Sequence, residues 1–204
     1  WSIAVFYGGV SSEREISLCT GKEVYAALKK KGIDAKLFDI PSDLNNFLEN
    51  RESYKSVFIA LHGDCGENGS VQGLLKVLDI PFTGSGVLGC ALAMDKVQSK
   101  NIWQKMGLPV IDGIVLPDNI NFKDAKLKIE SFGFPCFLKP VAEGSSMDVY
   151  CLKSMADLEK LSDKLSAYFF KKNWMLERRI CGREFAVGIL NNQALPIVEI
   201  KPKD

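Results

Sequence analysis

The chain has 204 residues, enough for one large domain or two small domains with a substantial hydrophobic core. Hydrophobic residues make up 47% of the sequence and charged residues 25%, which is typical of a globular protein in water. The 26 basic and 25 acidic residues leave a net charge of +1, so the composition gives no electrostatic reason to expect a nucleic acid or an anionic membrane as a partner.

The six cysteines are scattered, form no C-x-x-C pair and are accompanied by one histidine, so a zinc site is not expected. We expect reduced, structural cysteines in a cytoplasmic protein. No apolar segment of the sequence reaches membrane-spanning length, and no signal peptide precedes the first predicted strand. The chain starts at Trp1 rather than at methionine, which suggests that further N-terminal residues precede it.

The first half alternates between apolar runs of strand length and segments with helical periodicity. A helix is expected to begin at a capping box formed by Ser12 and Glu15 and to end at Gly32. The other elements predicted here are strands over 3–7, 35–40 and 57–61, and helices over 43–50 and 71–78. This alternation predicts a small doubly wound α/β domain with a parallel sheet, whose ligand loops lie at the carboxyl ends of the strands.

The second half has a different order of elements, and a boundary is expected between residues 86 and 94. Helices are predicted over 95–106, 122–132 and 154–165, and strands over 110–116, 136–139, 147–152 and 174–177. Residues 184–190 and 194–200 are predicted to form a hairpin around Asn191 and Asn192. The second half is therefore predicted to be a mixed α+β unit.

The segment that points most directly to a ligand follows the strand predicted over 136–139. It reads KPVAEGSS over 139–146, so the strand delivers Lys139 into a loop of small and hydroxyl-bearing residues. The lysine supplies positive charge, and backbone N–H groups of such a loop can approach anionic oxygens closely. The loop therefore predicts a phosphate site, although the same letters also occur in ordinary flexible loops.

Two further polar loops follow predicted strands of the first half: GGVSSERE over 8–15 and HGDCGENG over 62–69. Because parallel sheets bind ligands at the carboxyl ends of their strands, Glu13 and His62 are candidate site residues. Glu67 could fix the tautomer of His62 or share its pocket. On the residues alone, Glu13 could equally complement a helix N-terminus, and a lone histidine is more often structural.

Together with the MDK segment at 94–96, these loops resemble the D-alanine–D-alanine ligase family of ATP-grasp enzymes. The resemblance implies a doubly wound pre-ATP-grasp domain over 1–90, a central α+β ATP-grasp lobe over 91–176 and the start of a further lobe over 177–204. It implies ATP-dependent ligation of two D-alanines through an acyl phosphate, for peptidoglycan precursors. It also implies a homodimer, and Mg²⁺ with ligands beyond residue 204, where the C-terminal third of such a ligase would lie.

The resemblance also assigns roles to single residues. Glu13 matches an acid that binds the ammonium of the first D-alanine, and His62 and Glu67 match the loop that lines the same site. Ser145 matches a serine that links this site to a lid tyrosine, and we regard it, with Glu13 and His62, as catalytic. The residues that match nucleotide contacts are two lysines, a loop serine, an adenine hinge and a ribose-binding acid: Lys96, Lys139, Ser146, Glu177, Arg178, Ile180 and Glu184.

The sequence departs from the family pattern at two places. Asn68 replaces an aspartate of the H-G-x-x-G-E-D-G pattern, and Met147 and Asp148 stand where the family usually has a small or apolar residue followed by glycine. An aspartate close to ATP phosphates would repel them unless it points away or lies near magnesium.

The sequence leaves other functions open. D-Alanine–D-lactate and D-alanine–D-serine ligases of the same family differ largely in the lid, so the second substrate is not specified. An inactive nucleotide-binding fragment would also fit the 204 residues. A biotin-carboxylase-like ATP-grasp ligase would share the lysines but not the loops at 8–15 and 62–69.

Overall fold

A parallel sheet organises the first half of the chain, as seen in a computed structural model that describes residues 2–166, 169 and 172–201. Its strand order is β2-β1-β3, with β1 (Ser2–Gly8) parallel to both β2 (Ala35–Ile40) and β3 (Tyr54–Ile59). A parallel bridge between Val57 and Phe82 places the segment around Phe82 alongside β3, at the edge of the sheet. The expected doubly wound α/β arrangement is confirmed.

Five helices accompany this sheet: α1 (Arg14–Lys30), α2 (Leu44–Glu49), α3 (Asp64–Glu67), α4 (Ser70–Val77) and α5 (Val87–Met94). Helix α5 lies where the sequence indicated only a boundary. Its residues are apolar or glycine throughout, so the alternation of polar and apolar residues that reveals a surface helix is absent. None of its eight residues is buried, which leaves an apolar helix on the surface of the described chain.

The capping box predicted for Ser12 and Glu15 is wrong. The N-cap residue of α1 is Glu13, and its side chain makes no capping hydrogen bond. Instead, the hydroxyl of Ser11 accepts a hydrogen bond from the backbone N–H of Glu13 at 3.1 Å and donates one to the carbonyl oxygen of His62 at 2.7 Å. The start of α1 is therefore tied to the loop after β3, which frees the carboxylate of Glu13 for other contacts.

The second half is built on an antiparallel sheet with strand order β4-β7-β5-β6, which confirms the predicted α+β class. Its strands are β4 (Gly113–Val115), β5 (Cys136–Pro140), β6 (Tyr150–Leu152) and β7 (Trp174–Arg178). Its helices are α6 (Lys96–Lys105), α7 (Phe122–Phe132), α8 (Met155–Lys160) and α9 (Ser162–Ser166). The single helix predicted over 154–165 is thus two helices, because the first ends at Leu161.

The predicted hairpin follows this sheet. Strand β8 (Glu184–Ala186) pairs with β11 (Val198–Ile200), and β9 (Ile189–Leu190) pairs with β10 (Gln193–Ala194), both antiparallel. Asn191 and Asn192 form its turn with positive φ angles of 50° and 61°, as a tight hairpin turn requires. The limits proposed for three units, at residues 90 and 176, stay predictions.

Each half has its own core. In the second half, Trp174 is 1% exposed, stacks on Phe169 with ring centroids 4.9 Å apart and donates its indole N–H to the carbonyl oxygen of Phe169 at 2.8 Å. In the first half, the fully buried ring of Phe47 packs edge-on against Phe6 and Phe38, with centroids 4.7 and 5.4 Å away. These aromatic contacts attach the short helix α2 to the parallel sheet.

Replacement of Phe47 by alanine should lower the free energy of unfolding by about 3–5 kcal/mol, because it removes a large buried ring and leaves a cavity. Chemical denaturation followed by circular dichroism measures this. Val77→Ala is the control, since Val77 is 85% exposed and its truncation should change stability by less than about 0.5 kcal/mol. Equal stability of the two variants would contradict the assigned core.

Candidate active site

Two adjoining cavities lie between the loops of the parallel sheet and the loop after β5. Their volumes are about 720 and 400 Å³, and both are lined by Met94, Glu143 and Gly144. The predicted site residues on their walls are His62, Glu67 and Lys96 in the larger cavity and Glu13 in the smaller. Residues far apart in the sequence therefore share one cleft.

Glu13 joins the two halves of the chain. The hydroxyl of Ser145, in the loop after β5, donates a hydrogen bond to Oε1 of Glu13. Gly144 lies beside the other carboxylate oxygen: a Cβ on this glycine would be 3.6 Å from Oε2 of Glu13 and 4.0 Å from Oε2 of Glu67. Two carboxylates thus approach the same glycine from different loops, which creates a negative pocket suited to a small cation.

His62 lies beside this pocket with a defined ring orientation. Its Nε2 is 3.0 Å from the hydroxyl oxygen of Thr20, which itself donates to the carbonyl oxygen of Ile16 at 3.0 Å. Because the Thr20 hydroxyl has one hydrogen to give, we assign the His62 proton to Nε2. The Nδ1 atom faces Oε1 of Glu67 at 3.8 Å. Thr20 thus lies within hydrogen-bond distance of His62, whereas the role predicted for Glu67 at the tautomer stays a prediction.

A group of lysines lies next to the loop after β5, and one of them, Lys96, lines the larger cavity. The carboxylate of Glu177 accepts hydrogen bonds from Lys100 on one oxygen and from Lys139 on the other. Lys96 donates to the carbonyl oxygens of Val141, at 3.3 Å, and Glu143. Three ammonium groups and one carboxylate leave an excess of two positive charges, a favourable setting for phosphate.

The surroundings of this group change two of its pKa values. Burial and the neighbouring charge of Lys139 lower the pKa of Lys96. Burial would raise the pKa of Glu177, but the hydrogen bonds and charges of Lys100 and Lys139 outweigh it, so this pKa lies below its ordinary value. Glu177 is therefore ionised at neutral pH.

The predicted nucleotide residues further along β7 occupy different surroundings. The Arg178 guanidinium lies 4.5 Å from the centre of the Phe132 ring, and its backbone N–H donates to the carbonyl oxygen of Asp112 at 2.9 Å. Ile180 is 64% exposed, and Glu184 is exposed on β8. The structure places these residues on one segment but outside the two cavities, and their roles at adenine and ribose stay predictions.

The loop after β5 has an unusual backbone. Ser145, Ser146 and Asp148 have positive φ angles of 46°, 58° and 53°, a region that side-chain-bearing residues rarely adopt. The angle at Asp148 explains why glycine suits this position. Asp148 nevertheless has partners: Lys172 binds one carboxylate oxygen at 2.8 Å, and the hydroxyl of Tyr150 donates to the other at 2.8 Å.

The described residues contain neither a cluster of metal-binding side chains nor a helix fit to span a membrane. Across 2–166, 169 and 172–201, no three His, Cys, Asp or Glu side chains are grouped so as to hold a metal ion. Within the same residues, no helix is both long enough and apolar enough to cross a lipid bilayer.

Comparison with known families matches the segments that carry the loops at 62–69 and 139–146. The family described as D-ala D-ala ligase C-terminus matches residues 102–204, half of the chain, and the one described as D-ala D-ala ligase N-terminus matches residues 41–85. The chain belongs to the D-alanine–D-alanine ligase family. Its expected family and fold are thereby confirmed.

Individual family members agree with this assignment. The D-alanine–D-alanine ligase of Dechloromonas aromatica is 41% identical over 200 residues, which cover 98% of the chain and 64% of that relative. The crystal structure of the Bacillus anthracis ligase has a TM-score of 0.81 and 32% identity, with 98% of the chain and 64% of that structure covered. The structure of the same ligase complexed with ATP has a TM-score of 0.80 and 30% identity, with 99% of the chain and 66% of that structure covered. The chain thus spans about two thirds of these family members.

The structure adds site residues that sequence reasoning missed in this ligase-family chain. Lys100 is four residues after Lys96, so both lie on one face of α6, a signal that spacing alone could have provided. Arg14 binds Asp39 through two nitrogens and also donates to the carbonyl oxygen of Gly9 at 2.8 Å. This pair braces the Gly-Gly turn next to Glu13, but no local pattern links residues 14 and 39.

Glu177→Gln should destabilise the protein by about 3–5 kcal/mol at pH 7, since it leaves Lys100 and Lys139 without their largely buried partner. The low pKa of Glu177 stabilises the fold above the ordinary glutamate pKa, and this contribution disappears as the pH falls through the folded-state pKa. The difference between parent and variant should therefore narrow in acid, as urea denaturation at several pH values can measure.

The matched control for this experiment is Glu159→Gln. Glu159 also pairs with a lysine, Lys126 at 3.9 Å, but its side chain is 62% exposed. Exposed pairs contribute little, so the change should stay below about 1 kcal/mol. A Glu177→Gln deficit as small as that of the control, or one independent of pH, would contradict the role assigned to Glu177.

Proposed function

We propose that the protein joins two D-alanine molecules to D-alanyl-D-alanine at the expense of ATP, for peptidoglycan precursor synthesis. One observation carries this proposal: the loop after β5 contacts both the acidic pocket of Glu13 and Glu67, through Gly144 and Ser145, and the lysine group, through Lys96. An amino acid bound by its ammonium group would thus lie next to a triphosphate. The names of the relatives favour D-alanine over D-lactate or D-serine as the second substrate.

The first step follows from the opposite charges of the acidic pocket and the lysine group. Glu13 and Glu67 would hold the ammonium of the first D-alanine, with Ser145 orienting Glu13. One carboxylate oxygen of this D-alanine attacks the γ-phosphorus of ATP, ADP leaves, and an acyl phosphate forms. Lys96 and Lys139 would bind the phosphate oxygens and stabilise the charge that moves during transfer. Both lysines are already held by hydrogen bonds, which favours positioning.

The second step needs little covalent help from the protein. The amine of the second D-alanine attacks the carbonyl carbon of the acyl phosphate to give a tetrahedral intermediate. Collapse of this intermediate expels phosphate, the nitrogen loses a proton, and the peptide bond remains. The chief demands are orientation of the two amino acids and exclusion of water from the acyl phosphate.

The expected magnesium has no matching ligands among residues 2–166, 169 and 172–201. Glu13 binds Ser145, while Glu143 and Asp148 bind Lys172, so these three carboxylates of the cleft already have partners. We therefore assign no Mg²⁺ ligand and no step through the metal. A homodimer and a cytoplasmic location also stay predictions.

The full-length protein should release phosphate from ATP only when D-alanine is present, and the product should be the D-alanyl dipeptide. The acidic pocket beside the lysine group is the reason, because it brings one amino acid to the phosphate. A coupled assay for ADP and mass spectrometry of the product measure both quantities. Phosphate release with bicarbonate or L-alanine but none with D-alanine would refute the proposal.

Lys139→Ala in the full-length protein should weaken ATP binding roughly tenfold or more and D-alanine binding much less, because it removes a charge from the phosphate side alone. Calorimetric titration with each substrate measures the two affinities. Lys126→Ala is the control, since Lys126 pairs with Glu159 away from both cavities. Equal ATP affinity in the parent and the Lys139 variant would exclude Lys139 from the nucleotide site.

A further inference from the structure

An acidic residue lies in the loop that is proposed to receive phosphate. Asp148 lines the smaller cavity together with Glu13, Glu143 and Gly144. Its φ angle of 53° fixes it in the turn of this loop, next to Ser145 and Ser146. A carboxylate there would repel a triphosphate, so the loop needs a compensating charge to act as an anion site.

Lys172 supplies such a charge. Its Nζ lies 2.8 Å from Oδ2 of Asp148 and 3.0 Å from Oε1 of Glu143, so one ammonium bridges both acids of the loop. The side chain is 28% exposed, less than that of Glu143 at 35%. Burial would lower the pKa of Lys172, but its hydrogen bonds to Asp148 and Glu143 raise it above the ordinary value. The ammonium is therefore charged at neutral pH.

The backbone holds Lys172 in this place independently of the ion pairs. The adjacent carbonyl of Asn173 accepts a hydrogen bond from the N–H of Val141 at 2.9 Å, and Trp174 then begins β7, whose pairing with β5 starts opposite Pro140. The segment before β7 is thus paired with the segment that leads into the loop after β5.

We propose that Lys172 is a positioning residue of the nucleotide site, which offsets one of the two negative charges of Asp148 and Glu143 and thereby allows the loop after β5 to bind the phosphates of ATP. This inference rests on the proposed function only in taking the loop as the phosphate site. Lys172 acts through the two acids, so its effect should depend on the charge of Asp148.

The test is ATP binding by the full-length protein without D-alanine, measured by calorimetry. Lys172→Met should weaken binding roughly fivefold to tenfold at low salt, because two loop carboxylates lose their counter-charge, and less at high salt. Lys172→Arg should bind ATP like the parent. In steady-state assays, Lys172→Met should raise the KM for ATP while the KM for D-alanine changes less than twofold.

A double-mutant comparison distinguishes loss of the charge compensation between Lys172 and Asp148 from a general loss of structure. Asp148→Asn keeps the size of the side chain, and asparagine tolerates a positive φ. In the Lys172→Met background this change should recover at least half of the lost ATP affinity, and alone it should leave binding equal to or tighter than that of the parent. Lys126→Met is the matched control, since its side chain is 31% exposed and also pairs with an acid.

Each outcome decides the proposal. Parent-like ATP binding by Lys172→Met, or no recovery with Asp148→Asn, would overturn it. If Lys172→Met does not fold, weaker binding by Asp148→Asn alone would overturn it instead. A parent that binds ATP but ignores D-alanine would refute the proposed ligation and leave this test intact, whereas a parent that binds no ATP would overturn the role of Lys172.

Discussion

The carboxylate of Glu177 is the group on which the cationic side of the cleft depends. Three ammonium groups close together would repel one another, and Glu177 binds two of them, one on each oxygen. Its place follows from topology, because β7 lies between β4 and β5 and carries Glu177 between α6 and the end of β5. One acid thus allows positive charge to accumulate in the fold without a bound anion, while an excess remains for a ligand.

The acidic pocket on the other part of the cleft is assembled differently, because three loops meet there. Ser11 links the start of α1 to the backbone of His62, and Ser145 links Glu13 to the loop after β5. Neutral hydroxyls therefore make the connections, and the carboxylates and the imidazole remain on the inner surface. Since the last of these links joins the two halves of the site, the relative placement of the halves sets the distance between the acidic pocket and the lysine group.

The sequence predicted those helices and strands that have strong local signals. It did not predict features whose position or partners depend on tertiary contacts. The bounds predicted for β2 from its apolar run and for α7 from its helical segment ended by Gly133 are those that the structure has. Helix α5 was not predicted, because it is apolar on every face and shows no helical periodicity. The capping box predicted at Ser12 is wrong, because the hydroxyl of Ser11 forms the contact at the start of α1 and donates to the carbonyl oxygen of His62. The strand-end loops predicted the candidate site, but the pairing of Lys172 with Asp148 joins residues whose proximity no spacing rule indicates.

The hydrogen bond between Thr20 and His62 affects which ligand groups the acidic pocket of Glu13 and Glu67 can bind. With the proton on Nε2, the Nδ1 lone pair points to the same side as Glu67, and Glu13 adds a second carboxylate. The pocket then offers acceptors from three side chains, and a primary ammonium with its three N–H donors can satisfy them together. A hydroxy acid has one such hydrogen and no positive charge, so it would leave acceptors unpaired. The contact with a threonine thus favours a ligand that carries an ammonium group over one that carries a hydroxyl group in this pocket.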